Sequence, residues 1–170
     1  DKSYKVQREA GETAEKVLDI IPDHPAGFHY AIHAYDVPLL SGNAIRVAKN
    51  YYKIAPELPH ALHMPTHIFT RLGYWDESIE LNSRSAVAAL KYPVGDQISG
   101  HYFHALDYLA YAYLQISELE KAKNIVAILD TLGGTYQPVA ATAYCLAAVP
   151  GRVLLEEQMW SEAANISLNT

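Results

Sequence analysis

The sequence predicts an all-α protein, a right-handed α-α superhelix built from antiparallel helix pairs. Related segments return at an interval of 34 residues, so that His29 and His33 correspond to His63 and His67. Within each segment, apolar and small residues recur three or four positions apart, which is the spacing of an amphipathic helix. Prolines 25, 59 and 93 keep the same interval. A fixed period of this length is typical of stacked helical hairpins.

The first predicted helix runs from Lys2 to Ile20, and Pro22 ends it. Its inward stripe consists of Val6, Ala10, Ala14, Val17, Leu18 and Ile21. This is the second helix of a hairpin whose first helix is missing from the sequence. We therefore expect either a longer protein or a homodimer in which another chain covers this N-terminal helix.

Two complete hairpins follow. The first has helices from Phe28 to Tyr35 and from Ala44 to Ile54, with Ala44, Val47, Ala48 and Tyr51 directed inward. The second spans His60 to Leu90, with a turn around Gly73 and Asp76 as the expected cap of its return helix. If its first helix begins only at Pro65, His63 leaves the helical register.

An insertion after Pro93 predicts a longer loop before the third hairpin. The expected helices are Ser99 to Ile116, Glu118 to Leu132, Val139 to Gln158 and Trp160 to about Leu168, with Pro150 breaking the third of them. We thus predict one domain, with a half repeat at 1–22 and repeats at about 25–56, 59–92, 101–133 and 138–170.

Composition excludes several classes of protein. A net charge of -6 with only 13 Lys and Arg residues argues against a nucleic-acid-binding surface. The longest apolar runs are far shorter than a membrane span. The single cysteine, Cys145, cannot form an internal disulfide and fits either a cytoplasmic or an exported protein.

The pattern of small and large residues resembles that of the tetratricopeptide repeat (TPR) family. The matching positions are Tyr35, Ala44 and Pro56; Gly73, Trp75 and Ser78; and Ala110, Tyr113 and Ala122. The match departs from the family where Ile32, Thr66 and Ala110 replace the glycine expected midway along the first helix. The segments HYAIHAYD and ALHMPTHIFTRLG are also similar to those of a bacterial group of TPR-like proteins.

This resemblance implies a TPR-like solenoid with a concave groove lined by the first helix of each pair. Its lining positions correspond here to Ala26, His29, His33 and Asp36; His60, His63, His67 and Thr70; His104, Asp107, Tyr111 and Leu114; and Cys145, Ala148, Arg152 and Leu155. The candidate ligand-binding residues are the charged residues, the histidines and the tyrosine of the groove, together with Arg71: His29, His33, Asp36, His60, His63, His67, Arg71, His104, Asp107, Tyr111 and Arg152. The plainer interpretation is that imidazoles and tyrosines suit a half-buried wall.

A metal site is the second interpretation of the groove. Residues four apart on a helix have Cβ atoms about 5 to 6 Å apart, so His29 with His33, and His63 with His67, can converge on one ion. Imidazole donors favour zinc, nickel or copper over calcium or magnesium. Asp36 or Asp107 is expected to add a carboxylate that either binds the metal or accepts a hydrogen bond from one of its histidine ligands.

Two functions follow from these observations. The first is a binding or scaffolding module whose groove holds a peptide or protein segment, as the TPR resemblance implies. The second is a metalloprotein, possibly an enzyme, in which Asp36, Asp107 or Tyr111 assists at a metal-bound water. No catalytic residue is assigned, because Tyr30 and Met64 stand where a zinc protease would carry its general base.

Three further residues have alternative interpretations. Cys145 is either a buried apolar thiol or, less readily, a nucleophile. Arg71 and Arg152 either hold an anionic group such as a peptide carboxylate, or are solvated or paired with Asp76, Glu118 or Glu156.

Overall fold

The computed structural model describes residues 3–166. Its elements are α1 (Lys5–Ile20), α2 (Pro25–Tyr35), a 3-10 turn (Ser41–Ala44), α3 (Ile45–Ile54), α4 (Pro59–Leu72), α5 (Trp75–Lys91), α6 (Gly100–Gln115), α7 (Leu119–Thr131), α8 (Ala140–Glu156) and α9 (Trp160–Ala164). Extended pairing within the described range is limited to isolated bridges from Val94 to Gln97 and from Ile98 to Tyr136. The prediction of an all-α protein is therefore confirmed. No helix of residues 3–166 has both the length and the apolar composition needed to cross a membrane.

The chain divides into two compact units, Asp1–Leu81 and Asn82–Thr170. In the first unit, α1 packs on α2, and α2, α3 and α4 pack on one another. In the second unit, α6 packs on α7 and α8, α7 packs on α8, and α9 packs on α8. Each unit has its own apolar interior, and each is described by itself below.

The interior of the first unit is built from the faces that the sequence predicts. Ala44, Val47, Ala48 and Tyr51 are all buried, which confirms their inward direction. The Tyr51 ring stacks on Phe28 of α2 at 5.7 Å between centroids. Because these apolar side chains occupy one face of α2, its histidines are left on another face.

Both internal prolines lie inside unbroken helices. Pro65 sits within α4, so His63 and His67 share one continuous helix. Pro150 likewise lies inside α8, and the predicted break there is wrong. Each proline removes one helical hydrogen bond, but Val149 before Pro150 and Pro65 itself are buried, so packing of the surrounding residues maintains the helix.

Several helix ends differ from the prediction. The helix α1 begins at Lys5, whereas the predicted start, Lys2, lies outside the described residues. Asp76 lies in the first turn of α5, which starts at Trp75, and is therefore not the cap. The cap of α2 is His24, whose Nδ1 accepts a hydrogen bond from the backbone N–H of Gly27 at 3.3 Å. The predicted end near Leu168 lies outside the described range, and α9 ends at Ala164.

The stripe of α1 is only partly covered. Ala14 and Leu18 are buried against α2, whereas Val6 is 73% exposed. An open groove of about 860 Å³ runs between α1 and α2 and is lined by apolar residues that include Val6, Val17 and Tyr30. The predicted covering of this stripe by a further helix stays a prediction.

Candidate functional site

The first unit carries a cluster of histidines on α2 and α4. On α2, the rings of His29 and His33 lie 4.6 Å apart between centroids, nearly at right angles. His29 is half-buried and His33 is exposed. An adjoining face of the helix holds Phe28 and Ile32, both buried in the interior. The two imidazoles are thus mounted on a rigid helix whose other face is fixed by packing.

The helix α4 contributes three more histidines. His63 is 2% exposed, and its Nε2 lies 3.1 Å from Nε2 of His67, one turn further along the helix. His60 lies in the first turn, and its ring centroid is 5.0 Å from that of His29 on α2. The cluster therefore extends across the packed pair of helices.

Asp36 and Arg71 complete the polar network around His67. Nδ1 of His67 donates to Oδ2 of Asp36 at 2.9 Å, and Nε of Arg71 donates to Oδ1 of the same carboxylate at 2.8 Å. With its proton on Nδ1, a neutral His67 has Nε2 available to accept from the Nε2–H of His63. These groups form one hydrogen-bonded chain from α2 to α4.

The electrostatics of the cluster favour neutral imidazoles and an ionised carboxylate. Burial lowers the pKa of His29, and His33 and His67 lower it further. Burial and His67 also lower the pKa of His33, against the opposing effect of Asp36. Burial alone would raise the pKa of Asp36, but its hydrogen bonds to His67 and Arg71 bring it below its ordinary value. At neutral pH, His29 and His33 therefore have lone pairs to offer.

The structure regroups the four histidines predicted to bind metal. Ring nitrogens of His29, His33 and His60 all lie within 4.8 Å of one another. His63 and His67 instead pair with each other, although the His67 ring is 6.2 Å from that of His33. His60, which was predicted only as a groove residue, thus joins the pair on α2.

In the second unit, the predicted groove residues Asp107 and Arg152 form an ion pair between α6 and α8. Nη1 of Arg152 donates to Oδ1 of Asp107, and Nη2 donates to the Tyr144 hydroxyl at 3.1 Å. The guanidinium also lies over the rings of Tyr111 and Tyr144, at 5.5 and 5.7 Å. Burial raises the pKa of Asp107, and Arg152 opposes that rise. Tyr144 was not predicted, since it is exposed and stands outside the repeat's groove positions.

The remaining predicted residues are Cys145 and His104. Cys145 is fully buried, and burial raises its pKa to about 12, which favours the interpretation as an apolar thiol. The His104 ring packs edge-on against Tyr108 at 5.3 Å.

Both arginines have carboxylate partners other than those the sequence suggested. Arg71 pairs with Asp36, and Arg152 pairs with Asp107. The observed partners are 35 and 45 residues away, on the corresponding first helix of the preceding repeat.

The fold is similar to two solved structures. One contains nearly identical TPR-like repeats of a kinesin light chain-like protein from Podosopora anserina, with 20% identity and a TM-score of 0.65 over 93% of this chain and 82% of that chain. A single-substitution variant of that protein gives a TM-score of 0.67 at the same identity and coverage. No family model matches this chain, and no curated protein matches it. These similarities confirm the predicted TPR-like helical-repeat fold.

Proposed function

We propose that this protein is a binding module whose histidine-bearing face on α2 and α4 holds an extended segment of a protein partner. The observation that carries the proposal is the polar row on these two helices, backed by buried apolar faces. The row consists of His29, His33, Asp36, His60, His63, His67 and Arg71. Helical repeats commonly use such side chains on stacked helices to hold partners.

The spacing of the row suits an extended chain. His29 and His33 are four residues apart, which is about 6 Å along a helix axis. Alternate residues of an extended segment are about 6.6 Å apart and point to the same side. Successive imidazoles can therefore meet successive groups of the partner, and neutral rings can donate and accept hydrogen bonds.

The test is a selection of peptides from a random displayed library in the presence of a chelator, followed by affinity measurements on individual peptides. We expect selected peptides to bind the native protein and to lose at least about tenfold in affinity when His33 and His67 are both replaced by alanine. Replacement of His101, which lies in the second unit, is the control and is expected to leave affinity unchanged.

Circular dichroism should show the same helical spectrum for the double variant, because His33 is exposed and the helices are held by their apolar faces. Peptides that bind the native protein and the double variant equally well would place the binding surface elsewhere. Failure to select any peptide would also end the proposal. The chelator keeps both results independent of any bound metal.

We also propose that a second copy of this chain covers the open groove beside α1. The supporting observation is the apolar lining of this groove, in which Val6 is exposed and Val17 is half-buried. A second copy presents the same apolar stripe on its own α1, so the two stripes can cover each other across a two-fold axis. Sedimentation equilibrium should show a dimer that Val6→Glu converts to a monomer, and a monomeric native protein would contradict this.

A further inference from the structure

The three ring nitrogens supplied by His29, His33 and His60 form a group distinct from the hydrogen-bonded pair beside it. They come from two helices, α2 and the first turn of α4, which pack directly on each other in the first unit. Their nitrogen atoms lie within 4.8 Å of one another. The arrangement therefore brings three donor groups of one chemical type to a single point of the surface.

We propose that His29, His33 and His60 bind one transition metal ion, of the zinc, copper or nickel class. Three nitrogens at about 2.0 to 2.1 Å from a tetrahedral ion are about 3.4 Å apart. The observed separation closes to that value by small rotations of imidazole rings, whose second torsion angle is broad and soft. Imidazole is a ligand that all three metals accept.

The surroundings favour this group over the predicted set that included His63 and His67. Nδ1 of His67 is hydrogen-bonded to Asp36, and Nε2 faces Nε2 of His63 at 3.1 Å. Within the first unit, an ion at that pair would have to replace the hydrogen bond between the rings and would gain only two imidazoles, both from α4. The group on α2 and α4 offers three donors within that unit, and His33 gives the ion a path from solvent because it is exposed.

An ion held by three imidazoles keeps a fourth position for water or for a donor atom of another molecule. In this protein that position lies on the face proposed to hold a partner segment. Metal binding is nevertheless independent of that function, because the three ligands all belong to this chain. It is therefore tested with the metal alone.

The experiment is a calorimetric titration of chelator-treated, tag-free protein with Zn²⁺, repeated with Co²⁺ to record the absorption bands of a tetrahedral ion. The variants are His29→Gln, His33→Gln and His60→Gln, with His101→Gln as the matched control. We expect one equivalent of Zn²⁺ binding to be lost in each of the three variants. The affinity for Zn²⁺ at this site should fall by about 100-fold or more, since removing a residue that merely supports a ligand already lowers metal affinity by about 10- to 100-fold.

His63→Gln and His67→Gln decide between the two sets of histidines. We expect each to weaken Zn²⁺ binding by less than about tenfold, because neither supplies a ligand nitrogen to the site. The absence of Zn²⁺ binding would overturn the proposal, as would binding that is lost in these two variants but kept in His60→Gln. Circular dichroism shows whether each variant is folded. Should His60→Gln unfold the chain, the exposed His33→Gln variant still decides the outcome.

Discussion

The α2/α4 face of the first unit and the α6/α8 face of the second unit use equivalent helices of the repeat in opposite ways. In the first, the polar groups other than the buried His63 remain half-buried or exposed, and burial lowers the pKa of the paired imidazoles on α2. In the second, Asp107 is 4% exposed and its charge is matched by a guanidinium placed over two tyrosine rings. The same backbone arrangement can therefore present ligand-binding groups or enclose an ion pair.

The contrast also appears in the two Asp–Arg pairs. The side chain of Asp36 is 20% exposed and has both His67 and Arg71 as partners, so its pKa is lowered. The side chain of Asp107 is 6% exposed, and burial raises its pKa despite Arg152. Carboxylates in comparable pairs thus differ because their exposure and number of donors differ. We expect the pair in the second unit to be structural and the network in the first to be adaptable.

The largest expected effect is the removal of Arg152. Arg152→Ala leaves the Asp107 carboxylate buried without its cation, and we expect the free energy of unfolding to fall by about 3 to 5 kcal/mol. Urea unfolding followed by circular dichroism measures the change. Combining Arg152→Met with Asp107→Leu should recover much of the loss, because the buried charge is then absent. A loss below about 1 kcal/mol for Arg152→Ala would show that the pair is not structural.

The next effect is the protection of Cys145, the single cysteine of the chain. A pKa of about 12 leaves almost no thiolate at pH 8. We therefore expect the native thiol to react with a disulfide reagent about 1,000-fold more slowly than the urea-unfolded thiol, whose pKa is near 8.5. Absorbance of the released thiolate measures both rates. Comparable rates in the native and unfolded protein would contradict the enclosed character of this region.

A smaller effect is expected for Arg71. Its side chain is 44% exposed, and Asp36 keeps its hydrogen bond to His67 when the guanidinium is removed. Arg71→Ala should therefore lower the free energy of unfolding by only about 0.5 to 1 kcal/mol. Lys121→Ala, which removes an exposed pair with Glu118, is the surface control. A loss as large as that of Arg152→Ala would remove the distinction between the two pairs.

The smallest effect is that a change of pH alters the contributions of Asp36 and Asp107 to the free energy of unfolding in opposite directions. The pKa of Asp36 is lowered in the folded state, so its stabilisation is present above the ordinary value of 3.8 and is lost as pH falls through the folded value. The pKa of Asp107 is raised, so its contribution is fully present below 3.8 and is lost as pH rises through the folded value.

Unfolding measured between about pH 2.5 and 6 for the native protein, Asp36→Asn and Asp107→Asn checks these signs. The stabilisation that Asp36→Asn removes should shrink as the solution is acidified. The stability of the native protein relative to Asp107→Asn should instead rise on acidification. Parallel slopes for both variants would show that the two carboxylates share one kind of environment.

Much of the fold was predictable because helical periodicity is a local property. The spacing of apolar residues predicted the buried positions Ala44, Val47, Ala48 and Tyr51, and the 34-residue interval predicted the hairpins. The prolines were less predictable, since the cost of a lost helical hydrogen bond is local while the packing that offsets it is not. For that reason the chain continues in a helix through Pro65 and Pro150.

The repeat by itself determined which residues share a face of α2 or α4, and it placed five histidines on those faces. Only the tertiary structure decided which of them meet. His29 lies beside His60, and Asp36 bonds His67; both pairs are 31 residues apart in sequence, about one helical turn less than the repeat. Periodicity sets the direction of side chains around one helix, whereas the stagger between two helices depends on how their side chains interlock. That stagger is the physical reason why His60, rather than His63, joins His29 and His33.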